Sequence, residues 1–117
     1  MYKGKGAKLQ RALISFFLEC NTNAGYEEVQ IPHLVNENSA YGTGQLPDKE
    51  GQMYEVPSEN LYLIPTAEVP ITNIFRDVII SESNLPMMRT GYTPCFRREA
   101  GSYGSVSYTH LRAHETD

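Results

Sequence analysis

Two arginines and a glutamate stand together near the end of the chain, in the run Phe96-Arg97-Arg98-Glu99. Residues 87–97 are rich in β-prone types, so they predict a strand that carries these charges into a turn of small residues. Burying a guanidinium beside a carboxylate costs free energy unless a ligand binds there, and the planar fork of an arginine suits phosphate oxygens. The residues therefore favour an anion site, with phosphate as the ligand. An exposed strand with a solvated Arg-Glu pair stays open as the alternative.

A second candidate site lies at Thr66-Ala67-Glu68, at the start of a predicted helix. Thr66 is expected to be its N-cap, and Pro70 is tolerated in its first turn. The free N–H groups of that turn and the Glu68 carboxylate together suit a small zwitterion, whose ammonium group the carboxylate would bind. The alternative is a plain first turn, because acidic side chains interact favourably with the helix dipole there.

The elements that must position these residues are predicted from periodicity. Residues 7–20 form an amphipathic helix, because apolar side chains recur there at helical spacing. Residues 25–32 form a short strand that Pro32 closes. Residues 53–56 and 61–64 pair as a hairpin, and an apolar stripe continues the helix from Thr66 to Val78.

The Gly-x-Gly run at 42–44 is no dinucleotide loop, because no helical pattern follows it. The composition of the 117 residues, 40% hydrophobic and 21% charged, is that of one globular domain at most. A net charge of −4 argues against a surface that grips nucleic acid unaided. Cys20 and Cys95 lack ligand spacing, so we expect reduced thiols in a cytoplasmic protein. No apolar run approaches the roughly 20 residues that span a bilayer, and no signal peptide is evident.

Phe96-Arg97-Arg98-Glu99 resembles the second signature motif of the class II aminoacyl-tRNA synthetases, an aromatic-Arg-x-Glu pattern. With its flanks, TPCFRREAGSYG, it resembles the seryl-tRNA synthetase family in particular. The run GTGQLP at 42–47 and the run Thr66-Ala67-Glu68 are similar to segments of that same family. The helix, glycine, strand and proline of residues 7–32 resemble the first motif of class II, which builds the dimer interface in that class.

The resemblance implies an α+β fold in which residues 1–105 are part of an antiparallel β-sheet flanked by helices, left incomplete. It implies an enzyme that activates serine with ATP to seryl-adenylate and transfers the seryl group to tRNA(Ser). The implied partners are serine, ATP, tRNA(Ser) and a second copy of the chain. Mg²⁺ would bridge the phosphates, with no metal ligand among the residues present.

The resemblance also assigns roles to six residues. Arg97 would be catalytic, contacting the α-phosphate of ATP and the serine carboxylate. Arg98 and Glu99 would complete the edge that faces ATP, and serine would be bound by Thr66, Ala67 and Glu68.

Residues 106–117 match no part of the family and resemble a translated sequencing adapter. We therefore expect an artefactual, disordered tail. His110 and His114 have the i, i+4 spacing of helical metal ligands, but no third ligand is evident, so we expect no zinc site.

We expect the chain to be a truncated fragment that is inactive by itself. The family's tRNA-binding helical arm, its downstream glutamate for serine and its third motif have no counterpart in these residues. Two alternatives remain open: a non-catalytic relative that binds an amino acid or a protein, and an unrelated α+β interaction module. A non-catalytic relative would be expected to lack Arg97 or Glu68, and both are present here. An unrelated module would require every motif match to be a coincidence.

Overall fold

The computed structural model describes residues 1–99. Its elements, in chain order, are α1 (Lys5–Asn23), β1 (Glu27–Glu28), β2 (Leu34–Asn36), α2 (Glu37–Gly42), β3 (Glu55–Val56), β4 (Leu61–Leu63), α3 (Glu68–Asn73) and β5 (Arg89–Thr90), with 3-10 turns at Pro57–Glu59 and Glu82–Asn84. The fold is mixed helix and sheet, and its larger sheet is antiparallel, as expected. The predicted tail at 106–117 and its two histidines lie outside the described residues.

Helix α1 confirms the amphipathic helix and extends it by two residues before and three after. Its C-terminal carbonyls are closed by the Ala24 N–H, which donates to the Cys20 and Asn21 carbonyl oxygens at 3.1 Å each. Gly25 then takes a φ of 102°, which favours glycine. No residue of α1 is buried, and Leu9, Leu13, Phe16 and Phe17 are all exposed. Residues 1–99 therefore leave much of the apolar surface of α1 exposed, although Ile14 and Leu18 are half-buried.

The predicted strand at 25–32 is shorter than expected, since only β1 pairs regularly. β1 and β5 form a parallel two-stranded sheet, with Glu27 opposite Arg89. The pairing is extended by the Val29 N–H, which donates to the Thr90 carbonyl oxygen at 2.8 Å. Arg89 also lies 3.1 Å from the Glu27 carboxylate.

The predicted strand at 87–97 is likewise reduced to β5. After Thr90 the chain carries Gly91 and Pro94, and proline has no N–H to donate to a ladder. Two single bonds replace the ladder within residues 1–99. Phe96 N–H donates to the Ile64 carbonyl oxygen at 2.9 Å, and Arg98 N–H to that of Gln52 at 2.8 Å.

The predicted hairpin is confirmed in a three-stranded antiparallel sheet with the order β2-β4-β3. β3 and β4 pair with Val56 opposite Leu61, and the turn between them ends at Asn60 with a φ of 54°. β2 was not predicted, because three residues between polar neighbours give too little alternation to recognise. It pairs with the other side of β4.

α2 was not predicted either. Asn36 caps it, since its Oδ1 accepts a hydrogen bond from the Ser39 N–H at 2.9 Å. α3 is shorter than the predicted apolar stripe, and Asp77, with a φ of 59°, lies in the left-handed region beyond its end.

The core lies where the three-stranded sheet meets α3. Its buried residues are Ile31, Val35, Ile64 and Val69, with Phe96 and Tyr62 among the half-buried side chains packed against them. Phe96 thereby ties the arginine-bearing segment to the core.

Within residues 1–99 no helix has the length and apolarity that crossing a membrane requires.

Candidate functional site

The candidate site is a cavity of about 490 Å³ between α1, the loop before α3 and the segment that follows β5. Two of its walls carry residues singled out from the sequence. Thr66 and Ala67 line it from the loop, and Arg97 lines it from the extended segment. The two predicted sites are therefore parts of one cavity.

A direct hydrogen bond joins these two parts. The Arg97 Nε–H donates to the Pro65 carbonyl oxygen at 3.0 Å, across 32 residues of sequence. The neighbouring Phe96 N–H donates to the Ile64 carbonyl oxygen at 2.9 Å, so backbone and side chain bind the same loop. Arg97 is half-buried. Its guanidinium is thus held at the loop that carries Thr66.

The loop enters α3 one residue later than predicted. Ala67, with helical backbone angles, occupies the cap position instead of Thr66. The Thr66 hydroxyl still accepts a hydrogen bond from the Glu68 N–H at 3.3 Å. The predicted cap therefore acts within a turn that precedes the helix, because Ala67 already has helical geometry.

Glu68 begins α3 and is exposed. It adjoins the cavity through Thr66 and Ala67 in the chain, but it does not line the cavity formed by residues 1–99. The next two residues, Val69 and Pro70, are buried and anchor the helix to the core. Glu68 is thus carried on a fixed backbone directly after the lining residues Thr66 and Ala67.

Arg98 lines a different cavity, of about 580 Å³. Successive side chains of an extended chain point to opposite faces, so adjacent arginines separate in this way. Carboxylates and tyrosines line most of the second cavity: Glu37, Asp48, Glu55, Tyr41, Tyr54 and Tyr62. The structure therefore brings Arg97, Thr66 and Ala67 together and leaves Arg98 apart from them.

Glu99 ends the described segment and has a φ of 56°, in the left-handed region that non-glycine residues seldom adopt. Its side chain is half-buried. Glu99 follows Arg97 by two residues, and neither of these two described residues lies in a strand.

The second cavity is electrostatically negative around Tyr62. Burial of its ring, followed by the nearby carboxylates of Glu55 and Glu37, raises the pKa of the Tyr62 phenol above its usual value of about 10. Asp48 has a structural role there, since its two oxygens accept hydrogen bonds from the Gln52 and Met53 N–H groups at 2.9 Å each.

Sequence reasoning missed the contribution of α1 to the first cavity. Leu13, Phe17 and Asn21 line it, and the Asn21 amide also donates to the Thr90 hydroxyl at 3.0 Å. The helical periodicity marked Leu13 and Phe17 as one apolar face, but it gave no sign that this face adjoins a site. Asn21 lies just beyond the helix predicted at residues 7–20, so the periodicity does not mark it.

A cluster of metal-binding side chains is absent from the part of the chain that the structure describes. No three His, Cys, Asp or Glu side chains among residues 1–99 lie close enough to hold a metal ion.

Comparison with known proteins agrees with the geometry. The model of the tRNA synthetase class II core domain (G, H, P, S and T) matches residues 53–116, a range that includes most of the expected tail. The Serine-tRNA ligase of Hydrogenovibrio crunogenus is 54% identical over 121 residues, covering 97% of this chain and 28% of that protein. That of Salinibacter ruber is 54% identical over 116 residues, covering 99% and 27%. The chain thus spans little more than a quarter of these relatives.

Solved structures give the same result. The seryl-tRNA synthetase of Pyrococcus horikoshii, complexed with ATP, superposes with a TM-score of 0.77 at 38% identity, over 82% of this chain and 22% of that one. The cytoplasmic Serine-tRNA ligase of Naegleria fowleri, in complex with AMP, gives a TM-score of 0.81 at 27% identity, over 89% and 25%. Because the family match covers more than half of its residues, the chain belongs to the class II tRNA synthetase core family, within which it is similar to the serine-tRNA ligases.

Proposed function

We propose that this chain is part of the catalytic core of a serine-tRNA ligase, which activates serine with ATP to seryl-adenylate and transfers the seryl group to tRNA(Ser). The observation that carries this proposal is the 3.0 Å hydrogen bond from Arg97 Nε to the Pro65 carbonyl oxygen. It holds a guanidinium suited to phosphate beside the loop proposed to bind serine. The names of the relatives supply the substrate.

The first step joins two anions. A serine carboxylate oxygen attacks the α-phosphorus of ATP, the new P–O bond forms, and pyrophosphate leaves with the electrons of the broken bond. The step needs little proton transfer, so positioning and charge stabilisation do most of the work. Arg97 would contact both the α-phosphate and the serine carboxylate. Its positive charge would offset the repulsion between these two anions and so bring the reacting groups together.

Serine would be held by Thr66, Ala67 and Glu68. Thr66 and Ala67 line the cavity, and Glu68 follows them in the chain as the first residue of α3. A carboxylate at that place would bind the ammonium group of the amino acid by a charge-assisted hydrogen bond. The serine carboxylate would then face Arg97 on the other wall.

Arg98 and Glu99 are proposed to contact ATP. Glu99 is supported by its half-buried side chain two residues beyond Arg97. Arg98 has less support, since it lines the second cavity. Replacing Arg98 with alanine in the completed enzyme described below would raise the ATP KM if Arg98 makes this contact.

The remaining partners follow from the same proposal. Mg²⁺ would arrive with the ATP phosphates, and tRNA(Ser) would accept the seryl group. The exposed apolar side chains of α1 support a homodimer, because a second copy would remove Leu9, Phe16 and Phe17 from water. The two free cysteines, Cys20 and Cys95, suit the cytoplasm.

The proposal is tested with a completed enzyme. Residues 1–105 of this chain replace only the residues aligned with them in the Salinibacter ruber relative, and serine-dependent exchange of pyrophosphate into ATP is measured. We expect exchange by this completed enzyme and none by the 117-residue chain. Serine binding without exchange, while the unmodified Salinibacter enzyme is active alongside, would favour the non-catalytic alternative and contradict the proposal.

A further inference from the structure

The amide of Asn73 joins two short helices. Its Nδ2 donates to the Ser39 carbonyl oxygen of α2 at 2.9 Å and to the Val69 carbonyl oxygen of α3 at 2.7 Å. Both bonds are partly buried, and the first spans 34 residues of sequence. Asn73 is thus the polar link between α3 and α2.

The Ser39 carbonyl needs this link. The last four carbonyl groups of a helix have no partner within that helix, and Ser39 lies among them in the six-residue α2. Its oxygen accepts from the Thr43 hydroxyl at 3.2 Å and from Asn73. A carbonyl oxygen has two lone pairs, so Thr43 and Asn73 together satisfy it.

The orientation of the amide is fixed from its other end. Arg76 Nη1 donates to the Asn73 Oδ1 at 3.1 Å and to the Ser39 hydroxyl at 3.3 Å. Space is limited as well, because a Cβ at Gly42 would lie 3.3 Å from that Oδ1. The amide therefore has its donors toward the two carbonyls and its acceptor toward Arg76.

A six-residue helix is not stable in isolation, so contacts with the rest of the fold must set the position of α3. Its apolar side is held by the buried Val69 and Pro70. Its polar side is held by Asn73, at the opposite end of the helix from Glu68. The two anchors together fix the direction in which α3 presents its first turn.

We propose that Asn73 is a positioning residue for the amino-acid site. By holding α3 on α2 it fixes Thr66, Ala67 and Glu68 opposite Arg97, and it does so without touching the substrate. This inference rests on the proposed function, because it assigns serine to that loop. It predicts that loss of the Asn73 amide impairs the use of serine and spares the use of ATP.

Two substitutions in the completed enzyme test this. Asn73→Ala removes the side-chain bonds. Asn73→Asp keeps the size of the side chain and the oxygen that accepts from Arg76, but it removes the N–H donors to the two carbonyl groups. It is therefore the variant to measure if Asn73→Ala does not fold. A misplacement of about 1 Å can cost a hundred-fold, and we expect both variants to raise the serine KM by about ten- to a hundred-fold, with the ATP KM changed less than about two-fold. Asn84→Ala, at an exposed asparagine, is the matched control and should leave both constants unchanged.

Hydrogen exchange of the backbone amides gives a readout that does not depend on activity. In the 117-residue chain carrying Asn73→Asp, the Glu68 and Val69 amides should exchange faster, while the Leu63 amide of β4 should not.

An unchanged serine KM together with unchanged hydrogen exchange would overturn the role of Asn73 and leave the proposed function standing. Equal losses for serine and ATP would likewise overturn it, because they indicate general destabilisation. A completed enzyme without serine-dependent exchange, before any change at Asn73, would overturn the proposed function and this inference with it.

Discussion

Arg97 and Glu68 are proposed to contact two charged groups of the substrates, one whose charge changes during the reaction and one whose charge does not. Negative charge builds around the α-phosphorus as the new bond forms, so a guanidinium there gains strength in the transition state. The ammonium group of serine keeps its charge throughout, so a carboxylate beside it binds substrate and transition state alike. The two side chains should therefore be distinguishable by kinetics.

Replacing Arg97 in the completed enzyme should mainly lower kcat for activation. Arg97→Ala removes the guanidinium and its hydrogen bond to the Pro65 carbonyl oxygen. Arg97→Lys should restore little, because an ammonium group cannot form the bidentate fork. The loss of one such preorganised donor costs about a hundred- to a thousand-fold in kcat. Exchange rates at saturating serine and ATP measure this, and a full kcat in the lysine variant would contradict the proposed contact.

Replacing Glu68 with glutamine should mainly raise the serine KM and leave the ATP KM nearly unchanged. A hydrogen bond to a charged group is worth about 1.5–3 kcal/mol, which corresponds to about ten- to a hundred-fold in binding. Steady-state exchange kinetics at varied serine measure the effect. Glu59→Gln, at an exposed residue of the hairpin turn, is the matched control. Weaker ATP binding in the Glu68 variant would place the amino-acid pocket elsewhere.

The candidate residues were predictable because each carries its chemistry in a short run of sequence. The run Arg97-Arg98-Glu99 predicted an anion site, and Thr66 through Glu68 predicted the first turn of a helix with a carboxylate. Their meeting in one cavity was not predictable from these runs, because it depends on the pairing of Phe96 and Arg97 with Ile64 and Pro65, some 32 residues away. The separation of Arg98 from Arg97 follows from the alternation of side chains along an extended chain.

At the scale of elements, regular periodicity decided what could be predicted. α1 and the hairpin of β3 and β4 repeat their patterns long enough to be recognised. β2 and α2 are three and six residues long, and they form because β4 and α3 offer partners that the sequence does not reveal. The strand predicted at 87–97 shows the opposite case, in which the pattern is long but the observed strand is short. Within residues 1–99 this segment has no continuous partner strand to pair with.

The close approach of β1 and β5 gives an element-scale prediction at Gly91. A Cβ there would lie 2.8 Å from the Val29 carbonyl oxygen, a backbone atom that cannot turn away. Gly91→Ala should therefore push the two strands apart and destabilise the fold by about 1–3 kcal/mol. Thermal unfolding of the 117-residue chain measures this as a loss of several degrees. Gly6→Ala is the control: its Cβ would meet the Tyr2 ring at 3.8 Å, so the melting temperature should hold or rise. Equal melting temperatures for both variants would contradict the predicted clash.

At the scale of the whole molecule, the division at residue 105 remains a prediction. The family match runs to residue 116, whereas the residue pattern of 106–117 led us to expect a segment without a role in the fold. Deletion of 106–117 should therefore leave the melting temperature unchanged. Deletion of 94–117, which also removes Phe96 from the core cluster, is the contrasting variant and should lower it. A loss of several degrees on the shorter deletion would mean that the segment packs against the fold.

The most direct test of the central claim is the amino-acid specificity of pyrophosphate exchange by the completed enzyme. The family model that matches this chain covers enzymes for glycine, histidine, proline, serine and threonine, so these five amino acids are the relevant set. We predict that serine supports exchange, that the other four do not, and that Glu68→Gln removes most of the serine response at low serine. Exchange supported by another of the five and not by serine would contradict the account.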